Sequence, residues 1–404
     1  MTATTTVTTA PGTRAAAGAP PASPAPARTG KRPYLHQVDL IRATTFALVI
    51  FVHTLTNTTD EFANVGVNAT ALLMHCTRNI FFALTGFVLM YQYLGRDDFR
   101  AVDFWRRRMK LVIFPYVLWS VVYWVVMGMW GNGRLHDVPT HLNELWDNLK
   151  WGTAGYHMYF LVVMLQVYLL FPAIRWIVDK TRGHHAILLA VSLVLQIGAF
   201  AAISFWTPPE SLQEYWFHAY ATFLPYQFFI FYGAVAAAHR EQLDDWIRGK
   251  GRWLAAALLA SASFAVGMYL FRALHEGRVH DLNSAFDLTL LPFLVVIMPA
   301  MYAMALWWND RLRPRSERWA KVVSYASNRS FPVFLVHVLV LFLLIRPRTD
   351  GTPTIVHALG QPWGTLVVYL LTLAVSLAVV EVLRRLPLSI YLTGRPRLPF
   401  RWQI

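Results

Sequence analysis

Five largely apolar stretches of this chain carry side chains able to do acid–base or anion chemistry. In VDLIRATTFALVIFVHT, residues 38–54, Asp39 and Arg42 lie one turn apart and His53 follows Arg42 by eleven residues. On a helix that interval is just over three turns, so Arg42 and His53 share a face about 16 Å apart along it. The pair offers a cation for an anionic substrate group and, further along, an imidazole able to take a proton from a hydroxyl near neutral pH. His75, Arg78 and Asn79 form a second stripe at i, i+3 and i+4, from which Arg78 or Asn79 could donate to a developing oxyanion. SNRSFPVFLVH supplies Arg329, Ser330 and His337, and GYHMYF supplies His157. In FWRRRMKLVIFPY, Arg106, Arg107, Arg108 and Lys110 gather the forks and point charges that suit a polyphosphorylated ligand.

Each group also has a plainer reading. Asp39 can pair with Arg42 at a membrane interface, His53 can be solvated at its helix end, and His337 can be a packing residue. The basic run can be a stop-transfer anchor. Glu381 lies a turn from Arg384 and Arg385, where local pairing is its expected fate. His239 and Asp244 copy the His/Asp spacing of glycerolipid acyltransferases, but in a short connection without a soluble domain around them.

The elements that must position these residues are transmembrane helices. The 404 residues are 56% hydrophobic and 14% charged, and the apolar residues come in long blocks. That composition predicts an all-α, polytopic integral membrane protein. Ten spans are expected, at about 38–57, 70–94, 109–130, 157–178, 185–206, 219–238, 252–272, 286–308, 323–346 and 363–386. Residues 1–33, rich in Thr, Ala, Pro and Gly, read as a disordered tail without the apolar core of a signal peptide. Residues 34–390 form the membrane domain and 391–404 a second tail.

Of the 36 Lys and Arg, 27 fall in one alternate set of connections, termini included, and 6 in the other. The positive-inside rule then predicts both termini in the cytoplasm. Topology also accounts for the net charge of +14, because no nucleic-acid-binding motif accompanies the basic residues. A single cysteine, Cys76, excludes an intramolecular disulfide framework and a Cys-cluster metal site, and no metal is expected. The absence of a P-loop, a Rossmann glycine pattern and HExxH removes nucleotide-driven transport and zincin chemistry.

With these motifs in place, the chain resembles the acyltransferase-3 family of bacterial membrane acyltransferases over nearly all of residues 34–390. Arg42, ten residues and His53, with Asp39 ahead, match the family's first-helix pattern. FFALTGFVLM (81–90), RRRMKLVIFPY (106–116), GYHMYFLVVMLQVYLLFP (155–172) and SFPVFLVH (330–337) follow in the family's order. One departure is that the family's basic Arg, two residues, Arg appears here as Arg107, two residues, Lys110. The IFPYVLWS and YHMYFLVVMLQVYLLF stretches look closest to members that O-acylate biofilm polysaccharides.

The resemblance implies a multi-pass protein of the bacterial plasma membrane that moves an acyl group, acetyl being the expected one, from cytosolic acyl-CoA to a hydroxyl. The acceptor would be a glycan, a glycolipid or a secreted metabolite. Acyl-CoA is then a co-substrate and no cofactor is resident. His53 would be the general base, with Arg42 and Asp39 beside it in the catalytic set. Arg106, Arg107, Arg108 and Lys110 would hold the donor phosphates. His75, Arg78, Asn79, His157, Arg329, Ser330 and His337 are candidates to line the site. An exporter that uses the same charges as a pathway, without acyl transfer, is the alternative; the oligomeric state stays open.

Overall fold

The structure is a computed structural model that describes residues 2, 32–60, 63–131, 138–277, 279, 284–345 and 354–399. The N-terminal tail therefore lies almost wholly outside the described residues. In chain order the helices are α1 His36–Thr58, α2 Val65–Met74, α3 Cys76–Tyr93, α4 Ala101–Gly131, α5 Val138–Trp151, α6 Tyr159–Lys180, α7 His185–Phe205 and α8 Gln213–Phe217. They continue as α9 Gln227–Ala238, α10 Arg240–Ile247, α11 Gly251–Glu276, α12 Leu291–Trp307, α13 Glu317–Leu344, α14 Thr354–Leu359, α15 Trp363–Leu383 and α16 Ser389–Thr393. No strand occurs among the described residues.

Nine of the expected spans appear as helices long and apolar enough to cross a bilayer among the described residues, and the chain is a polytopic membrane protein. The tenth differs. Residues 219–238, expected as one span, contain two short 3₁₀ turns and then a 12-residue helix. Pro225 at the head of the second turn lacks the amide hydrogen that a continuous helix would use there. The apolar helical stretch Leu224–Ala238 is correspondingly shorter than a full span.

Its shortness is matched by close packing. A Cβ added at Gly233 would stand 1.8 Å from Ala83 O, and one at Gly86 would stand 2.2 Å from Ile230 O. The backbones of α3 and α9 thus touch through a glycine on each side, the approach that small residues allow in membrane helices. This contact fixes α3, which carries Thr85 and Val88 toward the interior.

Buried apolar side chains fall into two clusters. One joins α3, α7, α9 and α12, and the other joins α4 and α13 to part of α1. Phe160 and Tyr168 of α6 pack against both clusters. The seam between the clusters is where the bundle stays open, and the chemistry-bearing residues of α1, α4 and α13 meet there.

Candidate functional site

The Asp39 carboxylate, 2% exposed, is fully engaged by neutral donors. Tyr34 Oη donates to it at 2.7 and 2.9 Å, and Ser327 Oγ donates at 2.7 Å. Burial, reinforced by the Asp39 carboxylate, pushes the Tyr34 phenol up to about 12, so it remains a donor at neutral pH. Asp39 thereby ties α1 to α13. No ion pair within 4 Å joins it to Arg42 among the described residues.

One turn further, Arg42 stands between two cavities. One, of about 340 Å³, is bordered by Tyr34, Leu35 and Tyr91–Arg96; the other, of about 200 Å³, lies in the seam. The second receives Arg42 from α1, Arg108 from α4 and Arg395 from the segment after α16, with Tyr168 of α6 beside them. No carboxylate lines it among the described residues. Arg108 donates to Gln92 Oε1. The guanidinium groups of Arg42 and Arg395 have neither a hydrogen bond nor an ion pair among the described residues. Burial, and then the charge of Arg42, lower the Arg395 guanidinium below its ordinary value; it remains a cation.

The four basic residues of the α4 run part company here. Arg108 turns inward, whereas Arg106 and Arg107 border a surface hollow with Arg96, Asp98, Arg100 and Asp103. Lys110 is exposed and lines neither. Consecutive residues on a helix are 100° apart, so a single face of α4 can present only one of the three adjacent arginines to the seam.

The cavity of the three arginines continues past Thr85, Met164 and Ser330 to Phe160 and Phe334, whose rings lie 5.3 Å apart. Behind Phe334 three imidazoles gather. His157 lies 5.0 Å from the Phe334 ring and 5.2 Å from His337, and His337 stacks on His53 at 5.5 Å with planes 27° apart. Tyr156 meets His53 edge-on at 4.8 Å.

Local structure sets these rings in place. His337 Nδ1 lies 2.8 Å from Phe334 O, the geometry of an Nδ1–H donor, which leaves Nε2 with its lone pair free. Among the described residues that Nε2 is buried without a hydrogen-bond partner, as are both ring nitrogens of His157. Tyr123 Oη donates to Leu335 O at 2.9 Å and accepts from Leu339 N–H at 3.1 Å. The phenol is thus wedged into the backbone of α13 on either side of His337. His53 comes from the last two turns of α1, and no protein group hydrogen-bonds its ring among the described residues. Among the described residues, no cluster of His, Cys, Asp or Glu has the arrangement of a metal site.

The other candidates fall elsewhere. His75 occupies the break between α2 and α3, within electrostatic reach of His53. Arg78 points away toward α12: it donates to Ala285 O at 2.7 Å and lies over the Phe286 and Tyr226 rings at 4.5 and 5.5 Å. Asn79 donates to His75 O at 3.4 Å, and its Oδ1 is buried without a hydrogen-bond partner among the described residues. Arg329 is held by Glu381 at 2.6 Å, in a network with Tyr325 and Arg385, so only its neighbour Ser330 reaches the cavity. His239 meets His185 at 2.7 Å, while Asp244 accepts from Tyr302 Oη, so the apparent His/Asp pair is split between two partners. Two contributors, Arg395 and Tyr123, lie outside the motifs, and Tyr156 and Tyr168 lie within GYHMYFLVVMLQVYLLFP with nothing to set them apart from its other aromatics. Arg395 sits in what reads as a tail, and Tyr123 looks like an ordinary span aromatic.

A family model described as an acyltransferase domain, acyltransferase 3, matches residues 35–381. The chain is also similar to proteins of Staphylococcus aureus strains MSSA476 and MRSA252, each named "Probable poly-beta-1,6-N-acetyl-D-glucosamine export protein". In both cases 21% of 309 aligned residues are identical, covering 74% of this chain and 81% of the relative. No solved structure matches the chain at a significant level.

Proposed function

The chain belongs to the acyltransferase-3 family, and from that premise we propose that it transfers an acyl group from acyl-CoA to a hydroxyl of a glycan, glycolipid or secreted metabolite. The observation that carries this reading is the cavity that begins at Arg42 and Arg108, without a carboxylate, and ends at Phe334, against which the His53–His157–His337 group packs. The arginine end suits phosphate, and the imidazoles behind Phe334 suit proton abstraction.

On this reading the donor enters at the Arg42 end from the cytoplasm, the side on which the positive-inside rule leads one to expect the termini. Its phosphates meet Arg42 and Arg108, and the thioester arm runs past Thr85 and Ser330 toward Phe334. The roughly 16 Å between Arg42 and His53 is spanned by the helix they share. The acceptor arrives beside Tyr156. His53, whose ring has no hydrogen-bond partner among the described residues, removes the hydroxyl proton as the oxygen attacks the thioester carbonyl carbon. The tetrahedral intermediate collapses with cleavage of the C–S bond, and the leaving thiolate takes up the proton that His53 holds. Asp39 does not touch the reacting atoms in this scheme. It anchors α1 on Ser327 and so positions Arg42.

The export named for the staphylococcal relatives is the competing reading for this chain. The two differ in what happens to the donor. Membranes containing the protein are incubated with acetyl-CoA radiolabelled in the acetyl group, with coenzyme A release measured alongside. Transfer predicts label in a hydroxyl ester of the glycan or metabolite fraction and an equal amount of free coenzyme A. Movement of unmodified glycan with no donor consumed sinks the proposal.

A further inference from the structure

Residues 394–399 lie beyond the matched family domain and read in the sequence as the start of a tail. They are built in as part of the bundle. Trp119 Nε1 donates to Leu392 O at 2.9 Å, Leu398 N–H donates to Arg384 O at 2.8 Å, and Arg397 Nε donates to Arg385 O at 2.8 Å. Ser389 Oγ, wholly buried, donates to Arg395 O at 3.0 Å. Gly394 takes φ +62°, and a Cβ there would stand 2.5 Å from Leu111 O and 2.7 Å from a ring carbon of Phe331. The chain is thus pressed onto α4 and α13 at a position that only glycine fills without strain.

What these contacts deliver is Arg395. Its guanidinium enters the same 200 Å³ cavity as Arg42 and Arg108, three cations on three separate elements, with no carboxylate among the lining residues. A structural arginine of a membrane bundle finds a carboxylate or backbone carbonyls, as Arg329 does on Glu381 and Arg78 on Ala285 O. Arg395 has none among the described residues, although its own backbone carbonyl is held. Gathering like charges raises the energy of the empty protein, and a bound anion of at least two charges would relieve it.

We infer that the segment after α16 is a wall of the donor site and that Arg395 binds a phosphate group of a soluble, polyphosphorylated ligand. This inference rests on the donor reading above for the identity of that ligand, coenzyme A, but not for its chemistry.

The test uses the full-length protein in nanodiscs of neutral lipid, as wild type, Arg395→Gln, Arg395→Lys and Arg252→Gln, the last removing an exposed arginine far from the cavity along the chain. Equilibrium binding of coenzyme A and of inorganic pyrophosphate is measured, with the KM and kcat for acetyl-CoA. Arg395→Gln is expected to weaken binding and raise KM by about tenfold or more, with kcat changed by less than about threefold. Arg395→Lys keeps a charge but loses the fork, and its Kd should fall between the two. Arg252→Gln should match wild type. Unchanged Kd and KM in Arg395→Gln overturn the inference. If Arg395→Gln fails to fold, an Arg395→Lys protein that binds like wild type overturns it as well. Wild type that binds pyrophosphate but not coenzyme A, with loss of pyrophosphate binding in Arg395→Gln, supports the wall and removes the donor reading. Wild type that binds neither overturns both.

Discussion

Replacing Arg42 by Gln separates a ligand-binding cation from a structural one, because the two roles predict opposite signs in stability. Breaking a buried ion pair typically costs about 3–5 kcal/mol. Arg42 has no ion pair to break among the described residues, and the oxygens of Asp39 are already engaged by Tyr34 and Ser327. At an effective dielectric constant of about 20, a unit charge on the order of 8 Å away contributes about 2 kcal/mol. The attraction of Asp39 and the repulsion of Arg108 act on Arg42 in opposite senses, while the cost of burying a cation without an ion-pair partner is one that Gln removes. Arg42→Gln should therefore leave stability unchanged or raise it by up to about 2 kcal/mol. The same change removes a charge-assisted hydrogen bond to the donor, about 1.5–3 kcal/mol, or roughly 10- to 150-fold in KM. Thermal unfolding can be followed through a thiol-reactive dye on Cys76, the single cysteine, which is buried. A melting temperature at or slightly above that of wild type, with a KM for acetyl-CoA raised at least tenfold, is expected. A drop of many degrees with an unchanged KM would refute the reasoning and make Arg42 a structural cation.

Two further substitutions probe the frame around the site. Glu381→Gln removes the carboxylate shared by Arg329 and Arg385, whose side chains are 14% and 13% exposed, and should cost about 3–5 kcal/mol of stability while the donor KM stays put. A changed KM at unchanged melting temperature would instead return Arg329 to the site. Gly233→Ala drives a methyl to within 1.8 Å of Ala83 O and must part α3 from α9, lowering the melting temperature and the folded yield, whereas Gly198→Ala, with nothing within 4 Å, should be neutral or mildly stabilising. Equal thermal melts for the two alanine variants would contradict that packing.

Much of the architecture is legible in the sequence because membrane helices need long apolar runs, a demand visible one residue at a time. The exception is residues 219–238, where Pro225 interrupts the helix inside a uniformly apolar stretch and leaves the composition unchanged. The site is legible where both partners lie on one helix: Arg42 and His53 are fixed by an interval. It is not legible where a choice depends on another element. The sequence gives no reason to prefer Arg108 over Arg106 or Arg107, because the packing partner of α4 makes that choice. Arg329 reads as a site residue until Glu381, 52 positions later, is seen to hold it. Arg395 is the reverse case, a residue in an apparent tail that the bonds of Ser389, Leu398 and Arg397 carry into the cavity. His157 and His337 are each a lone histidine in sequence, and only the fold gathers them with His53, His337 stacked on it and His157 edge-on to His337.

The central claim is that His53 takes the acceptor proton during acyl transfer. It is tested most directly by His53→Ala, compared with wild type at equal expression and equal melting temperature, with the rate of label transfer from acetyl-CoA as the readout. General-base catalysis contributes about 10²–10⁴-fold, so the variant should lose acyl transfer by that factor while coenzyme A binding stays within about twofold of wild type. A wild-type transfer rate in the folded His53→Ala protein would contradict the account.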